Sequence, residues 1–204
     1  MKVNMEESES RLNKLIDIRG SDYAAAISLN NLTTEEALII SDYADLFGSE
    51  INRKLIQETN IKEDLDNEKL LNQALDKLES YDMLTVHVDF GVDEDEEDEI
   101  YEWFEERVGN VIQFPNFLGS TKNKEKFKNR NFYLKIITCS NSSGKFITPL
   151  TGKKLEEEVL FKSKSNFKIQ KVNRGGSTVE LLEVDRNNAP SNILTELYYL
   201  NQKD

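Results

Sequence analysis

The chain reads as an α+β domain in which helices come first and strands follow. Three observations predict this. Apolar residues recur at helical spacing between residues 33 and 78, and from Met83 onward the apolar runs are short and β-branched. No Pro/Gly/Ser-rich linker divides the chain, so the two parts share one core, and segregated helices and strands argue against alternating βαβ units.

Residues 1–32 form an N-terminal extension, partly helical, with weak apolar spacing at Leu12, Leu15 and Ile16 and a small-residue stretch at Ala24–Ala26. Residues 33–204 form the single domain. Thr33 followed by Glu36 is a capping box, in which the hydroxyl accepts from an orphan amide and the glutamate reaches back, so a helix starts at Glu35. Ala37, Ile40, Ala44 and Phe47 carry its apolar stripe to Gly48, where it should stop. Ser49 then caps a second helix with Ile51, Leu55 and Ile56, and Leu70, Leu71, Ala74, Leu75 and Leu78 mark a third over residues 68–78. Strands are expected at residues 83–90, 132–138, 158–161, 167–172 and 177–184. Between the first two lie seven successive acids, Asp93 to Glu99, ahead of a helix with Ile100, Trp103, Phe104 and Val108 on one face; acids suit the positive end of a helix dipole.

The net charge of -12 over 204 residues disfavours phosphate-backbone binding, so nucleic acid is not an expected partner. Lys122, Lys124, Lys126 and Lys128 cluster, but among polar and acidic neighbours and few aromatics. No window is apolar enough to span a bilayer, and no membrane association is expected. The N-terminus lacks the pattern of a secretory signal, which leaves the cytoplasm or a signal-peptide-independent export system. Cys139 is the only cysteine, which excludes an internal disulfide and a multi-thiolate zinc site. The acidic run lacks the glycine and spacing of a calcium-binding loop, so no metal is expected. Oligomeric state is not legible.

Four stretches occur in a telling order. TTEEALIISDYADLFGSEINRKL carries Tyr43, Ile51, Asn52 and Leu55; LTVHVDFG follows, then FPNFLGST, then GKFITPLTGKKLEEEVLFKSKSNFKI. From about Thr33 to Val184 this order resembles the mono-ADP-ribosyltransferase family, especially its bacterial toxin-like exoenzyme branch. The resemblance implies N-terminal helices followed by two packed, mainly antiparallel sheets around an NAD cleft. It implies NAD as substrate, a protein side chain as acceptor, and a toxin or effector role.

On the same basis Glu158 is the catalytic glutamate, which would hold the ribose 2'-hydroxyl and stabilise the oxocarbenium-like cation. Glu156 is the first member of the pair, orienting the acceptor, and a glutamate there implies arginine as the target. Two residues apart on a strand, they would share one face. Read without the resemblance, residues 156–158 are a solvated strand end that discourages edge pairing.

Ser120 or Thr121 would bond the catalytic glutamate, in a Gly-Ser-Thr variant of the family's Ser-Thr-Ser strand motif. Tyr43 and His87 complete the dinucleotide contacts. The family's phosphate-gripping strand arginine is missing: direct alignment puts Val88 there and His87 before it, on the opposite face. Two other readings stay open, a catalytically degenerate binding module of the same fold and an acidic interaction protein built on residues 93–108.

Overall fold

The computed structural model describes residues 5–57, 62–89, 96–127, 132–153 and 155–195. Helices α1 (Met5–Arg19), α2 (Ser21–Leu29), α3 (Thr34–Asp42), α4 (Gly48–Ile56) and α5 (Lys62–Asp76) come first. Strand β1 (Thr85–Asp89), helix α6 (Glu97–Glu105), then β2 (Val111–Phe114), β3 (Leu118–Thr121) and β4 (Tyr133–Ile137) follow. The chain closes with β5 (Gly144–Phe146), short helix α7 (Thr148–Thr151), β6 (Glu158–Phe161), β7 (Ser165–Asn173) and β8 (Thr178–Val184).

The capping box forms as expected: Glu36 N donates to Thr33 Oγ1 at 3.2 Å and Thr33 N to Glu36 Oε2 at 2.7 Å. The helix does not stop at Gly48, however. A π-helical turn over Tyr43–Phe47 runs directly into α4. A Cβ on Gly48 would lie 2.5 Å from the Tyr43 carbonyl oxygen, so glycine here permits a close pass of the wider turn and does not terminate the helix. Residues ahead of Thr33 join the same layer, since Tyr23 of α2 is 1% exposed within the helical apolar cluster.

The strands form one continuous sheet in the order β2-β7-β8-β4-β1-β3-β6-β5, antiparallel except for β4 with β8. The mainly antiparallel α+β architecture is as expected, and the two packed sheets of that expectation are joined into one through a single contact. β1 and β3 meet at the single pair His87↔Thr121, which joins a five-stranded part to a three-stranded part.

Alternation along β6 links two apolar clusters. Leu160 packs with the helices, together with Phe117 and Ile147, whereas Val159 and Phe161 pack with Val86, Val88, Ile136 and α6 residues Ile100 and Phe104. Val108, expected on the α6 stripe, lies beyond the helix end and is half exposed. In the acidic run, Glu97, Asp98 and Glu99 occupy the first turn of α6; Asp93–Asp95 lie outside the described residues. Arg174, from the turn between β7 and β8, pairs with both Asp98 and Glu105 of α6.

Candidate active site

Glu158 opens β6, and its surroundings follow from strand register. It lies opposite Thr121 of β3, Thr121 lies opposite His87 of β1, and His87 lies opposite Lys135 of β4. Directly opposed residues share a face, so Glu158, Thr121, His87 and Lys135 form one row across four strands. Leu160, two residues beyond Glu158, is covered by the helices, but the helical cluster takes no described residue from β1 or β4. The row therefore runs from the edge of the helical layer out across a sheet face that this cluster leaves uncovered.

Each end of the Glu158 backbone is fixed. Its N–H donates to Thr148 Oγ1 of α7 at 2.6 Å, and its carbonyl accepts from Ile147 N at 3.0 Å. Gly119, two residues before Thr121 and on the same face, leaves room for the carboxylate: a Cβ built there would lie 3.7 Å from Glu158 Oε1. On the helical side, Asn52 Nδ2 donates to Tyr43 Oη at 2.9 Å, and Asn52 Oδ1 accepts from Phe117 N at 3.1 Å. The Tyr43 and Phe117 rings meet edge to face at 5.5 Å. One asparagine thus ties α4 and the π turn to the start of β3. Burial, opposed by the Asn52 hydrogen bond and reinforced by the charge of Glu158, raises the Tyr43 phenol well above its ordinary pKa.

Glu156 is not on the strand. It lies in a turn, with its N–H donating to Lys153 O at 2.9 Å, and Glu157 between the two acids adopts a left-handed φ of 47°. Strand alternation consequently does not relate Glu156 to Glu158, and the expectation of two acids on one strand face is corrected. The turn is held from several sides. Thr121 Oγ1 donates to Glu156 O at 2.6 Å, and Lys122 pairs with Glu157 at 3.5 Å. Lys153 Nζ donates to Ala44 O at 2.7 Å, while Arg19 donates to Leu150 O at 2.9 Å and pairs with Asp45. Leu155, beside Glu156, stands 88% exposed.

Ser120 and Thr121 separate by alternation. Ser120 lies opposite Val159, on the face packed against α6, and its hydroxyl donates to Val159 O at 2.6 Å. Thr121 is the one on the Glu158 face. The placement of β1 is the larger change. Val88 is packed in the sheet core, and His87, expected on the opposite face, lies in the Glu158 row, 5% exposed and 5.8 Å from the Tyr133 ring. Burial, with Lys124 and Lys135 adding repulsion, holds its imidazole below the ordinary value of 6.5. Sequence reasoning missed Thr148 and Lys135 as neighbours of the site. Only strand register reveals Lys135, and no spacing in TPLT announces Thr148.

Among the described residues no group of three or more His, Cys, Asp or Glu side chains is placed to hold a metal ion, and no helix is long and apolar enough to cross a membrane.

Comparison with known proteins gives a consistent picture. The family model described as ADP-ribosyltransferase exoenzyme matches residues 20–190. No curated protein sequence matches the chain. Similar solved structures include Plx2a, an ADP-ribosyltransferase toxin from Paenibacillus larvae, at 20% identity and TM-score 0.63, over 88% of this chain and 96% of that one. C3stau2 from S. aureus with NAD aligns at 12% identity and TM-score 0.64, over 90% and 97%. The ADP-ribosyltransferase Vis from Vibrio splendidus, in complex with agmatine, aligns at 16% identity and TM-score 0.64, over 98% and 95%.

Proposed function

The chain belongs to the ADP-ribosyltransferase exoenzyme family, and on that premise we propose that it transfers ADP-ribose from NAD to an arginine side chain of a protein acceptor, as a toxin or effector. The observation that carries this reading is the Glu158–Thr121–His87–Lys135 row on one sheet face.

NAD is the substrate. As the bond between nicotinamide and ribose breaks, its electron pair leaves with nicotinamide and positive charge develops on the ribose. The Glu158 carboxylate, fixed through Thr148 and Ile147, stabilises that charge without reorganising. Glu156, on its braced turn, orients the acceptor guanidinium and takes the proton released as nitrogen bonds to the ribose carbon. Two features support arginine as acceptor: a glutamate at position 156, and agmatine, a guanidinium compound, in the similar Vis structure.

His87, Lys135 and Lys124 supply the polar and cationic groups beside the row where the missing strand arginine would meet the phosphates. Tyr43 contributes as a buried brace, through Asn52.

The test is NAD hydrolysis and transfer to agmatine by the purified chain. Glu158→Gln is expected to lower both rates about 10²–10³-fold with the fold intact. Glu156→Gln is expected to suppress transfer while leaving hydrolysis within a few-fold. Equal rates in wild type and Glu158→Gln overturn the assignment. A second reading, a binding module that holds NAD without turnover, is favoured by the bare Gly119 beneath the carboxylate and by Val88 in the core. Saturable NAD binding with no turnover in wild type would select it.

A further inference from the structure

Arg19 closes α1, and the family model begins one residue later, at residue 20. Its charged side chain is only 8% exposed. The guanidinium fork reaches two elements at once: Nη1 donates to Leu150 O of α7 at 2.9 Å, and Nη2 pairs with Asp45 of the π-helical turn. The same group lies 5.0 Å over the Tyr23 ring, itself buried in the helical cluster. An exposed ion pair would contribute little, but this one is packed, and the single ammonium of a lysine could not reproduce its planar two-way grip.

Arg19 and Asp45 both bear on the turn that carries Glu156. A Cβ on Gly152, the left-handed residue that ends α7, would meet Arg19 Cδ and Nε at 3.2 Å, so the Arg19 stem fills the space beside the start of the turn. Lys153 follows; it donates to Ala44 O at 2.7 Å and stands 3.7 Å from the second carboxylate oxygen of Asp45. Its carbonyl accepts from Glu156 N at 2.9 Å. Asp45 is thus shared by two cations, one from α1 and one from the turn, while Tyr43 ties the same π turn to the start of β3 through Asn52. Glu158 takes its own backbone restraints from Thr148 and Ile147, without Arg19.

We propose that Arg19 is a positioning residue: through Asp45, Leu150 and Gly152 it fixes the turn that holds Glu156, and so decides whether ADP-ribose goes to the acceptor or to water. This rests on the transferase reading above. In transfer, the ribose carbon that loses nicotinamide bonds a guanidinium nitrogen, whose proton passes to Glu156. When that nitrogen is out of line, a water oxygen bonds the carbon instead and gives up its proton, with nicotinamide leaving in both cases. Displacing the turn harms only the first route, because stabilisation of the cation by Glu158 serves both.

The test compares wild type, Arg19→Met, Arg19→Lys and Asp45→Asn as full chains, measuring NAD hydrolysis, transfer to agmatine, and amide exchange by ¹⁵N–¹H spectra. Arg19→Met is expected to lower transfer relative to hydrolysis about tenfold, through a higher KM for agmatine, with hydrolysis within about twofold of wild type. The Lys153 and Glu156 amides, both hydrogen-bonded within the turn, should exchange faster, while the Glu158 amide keeps its protection. Arg19→Lys, which keeps the charge and loses the fork, should fall between. An active wild type whose transfer-to-hydrolysis ratio is unchanged in Arg19→Met, or a variant that loses both rates equally, overturns the proposal alone. A wild type without transfer overturns the arginine-transferase reading and the proposal with it. If Arg19→Met does not fold, Asp45→Asn carries the same test, since it removes the charge that Arg19 and Lys153 share.

Discussion

Gly119 shows how one missing side chain sets the character of the site. Ordinary van der Waals space, 3.7 Å, would separate a Cβ at this position from Glu158 Oε1, so a serine there places a hydroxyl within reach of the carboxylate. Gly119→Ser is expected to shift stability by less than about 1 kcal/mol and to raise the rate of NAD cleavage several-fold. An unchanged or lower rate would show that Glu158 gains nothing from a hydroxyl donor at that position. His87 makes a pH prediction. Its folded-state proton affinity lies below the ordinary 6.5, so the unfolded chain binds more protons as acid is added. The stability it contributes is fully present above pH 6.5 and is lost as pH falls through the lower folded value. Thermal midpoints measured from about pH 7 to about pH 5.5 should therefore fall more steeply for wild type than for His87→Gln. Parallel slopes would contradict the buried, neutral imidazole.

Individual elements divide into those that sequence specifies locally and those that need the whole sheet. The Thr33/Glu36 cap was legible because both partners lie within one turn. The π turn was not, since a glycine after an apolar stripe reads as a stop, and only the carbonyl of Tyr43, five residues earlier, reveals the close pass. Gly48→Ala is expected to cost about 1–3 kcal/mol in urea unfolding, because its methyl meets that oxygen at 2.5 Å, and to loosen the Tyr43–Asn52–Phe117 tie. Retained stability would mean that the turn relaxes to α-helical pairing. Strand β5, of three residues, is too short to show alternation. The candidate site was partly legible: Glu158 and Thr121 face each other across β6 and β3, but the Ser120 and Thr121 hydroxyls donate to the carbonyls of Val159 and Glu156 and not to the Glu158 carboxylate as expected, Glu156 leaves the strand through the left-handed Glu157, and His87 takes its face from pairing with residues 34 and 48 positions away in sequence.

For the whole molecule, β3 and β6 share alternate residues between the helical and sheet clusters, with Phe117 and Leu160 on one side and Leu118, Val159 and Phe161 on the other. Neither cluster is complete without these strands, so they should unfold together. Trp103, the single tryptophan, packs against the sheet cluster, whereas far-UV circular dichroism is dominated by the helices. The two signals are expected to give coincident urea transitions, and Leu160→Ala should shift both by about 2–5 kcal/mol. Separate midpoints would show two independent folding units. The lone pair His87↔Thr121 gives this shared architecture one soft seam. Only one backbone rung ties the five-strand and three-strand parts, so the packing of Val86 and Val88 against Val159 and Phe161 carries most of what keeps them as one body.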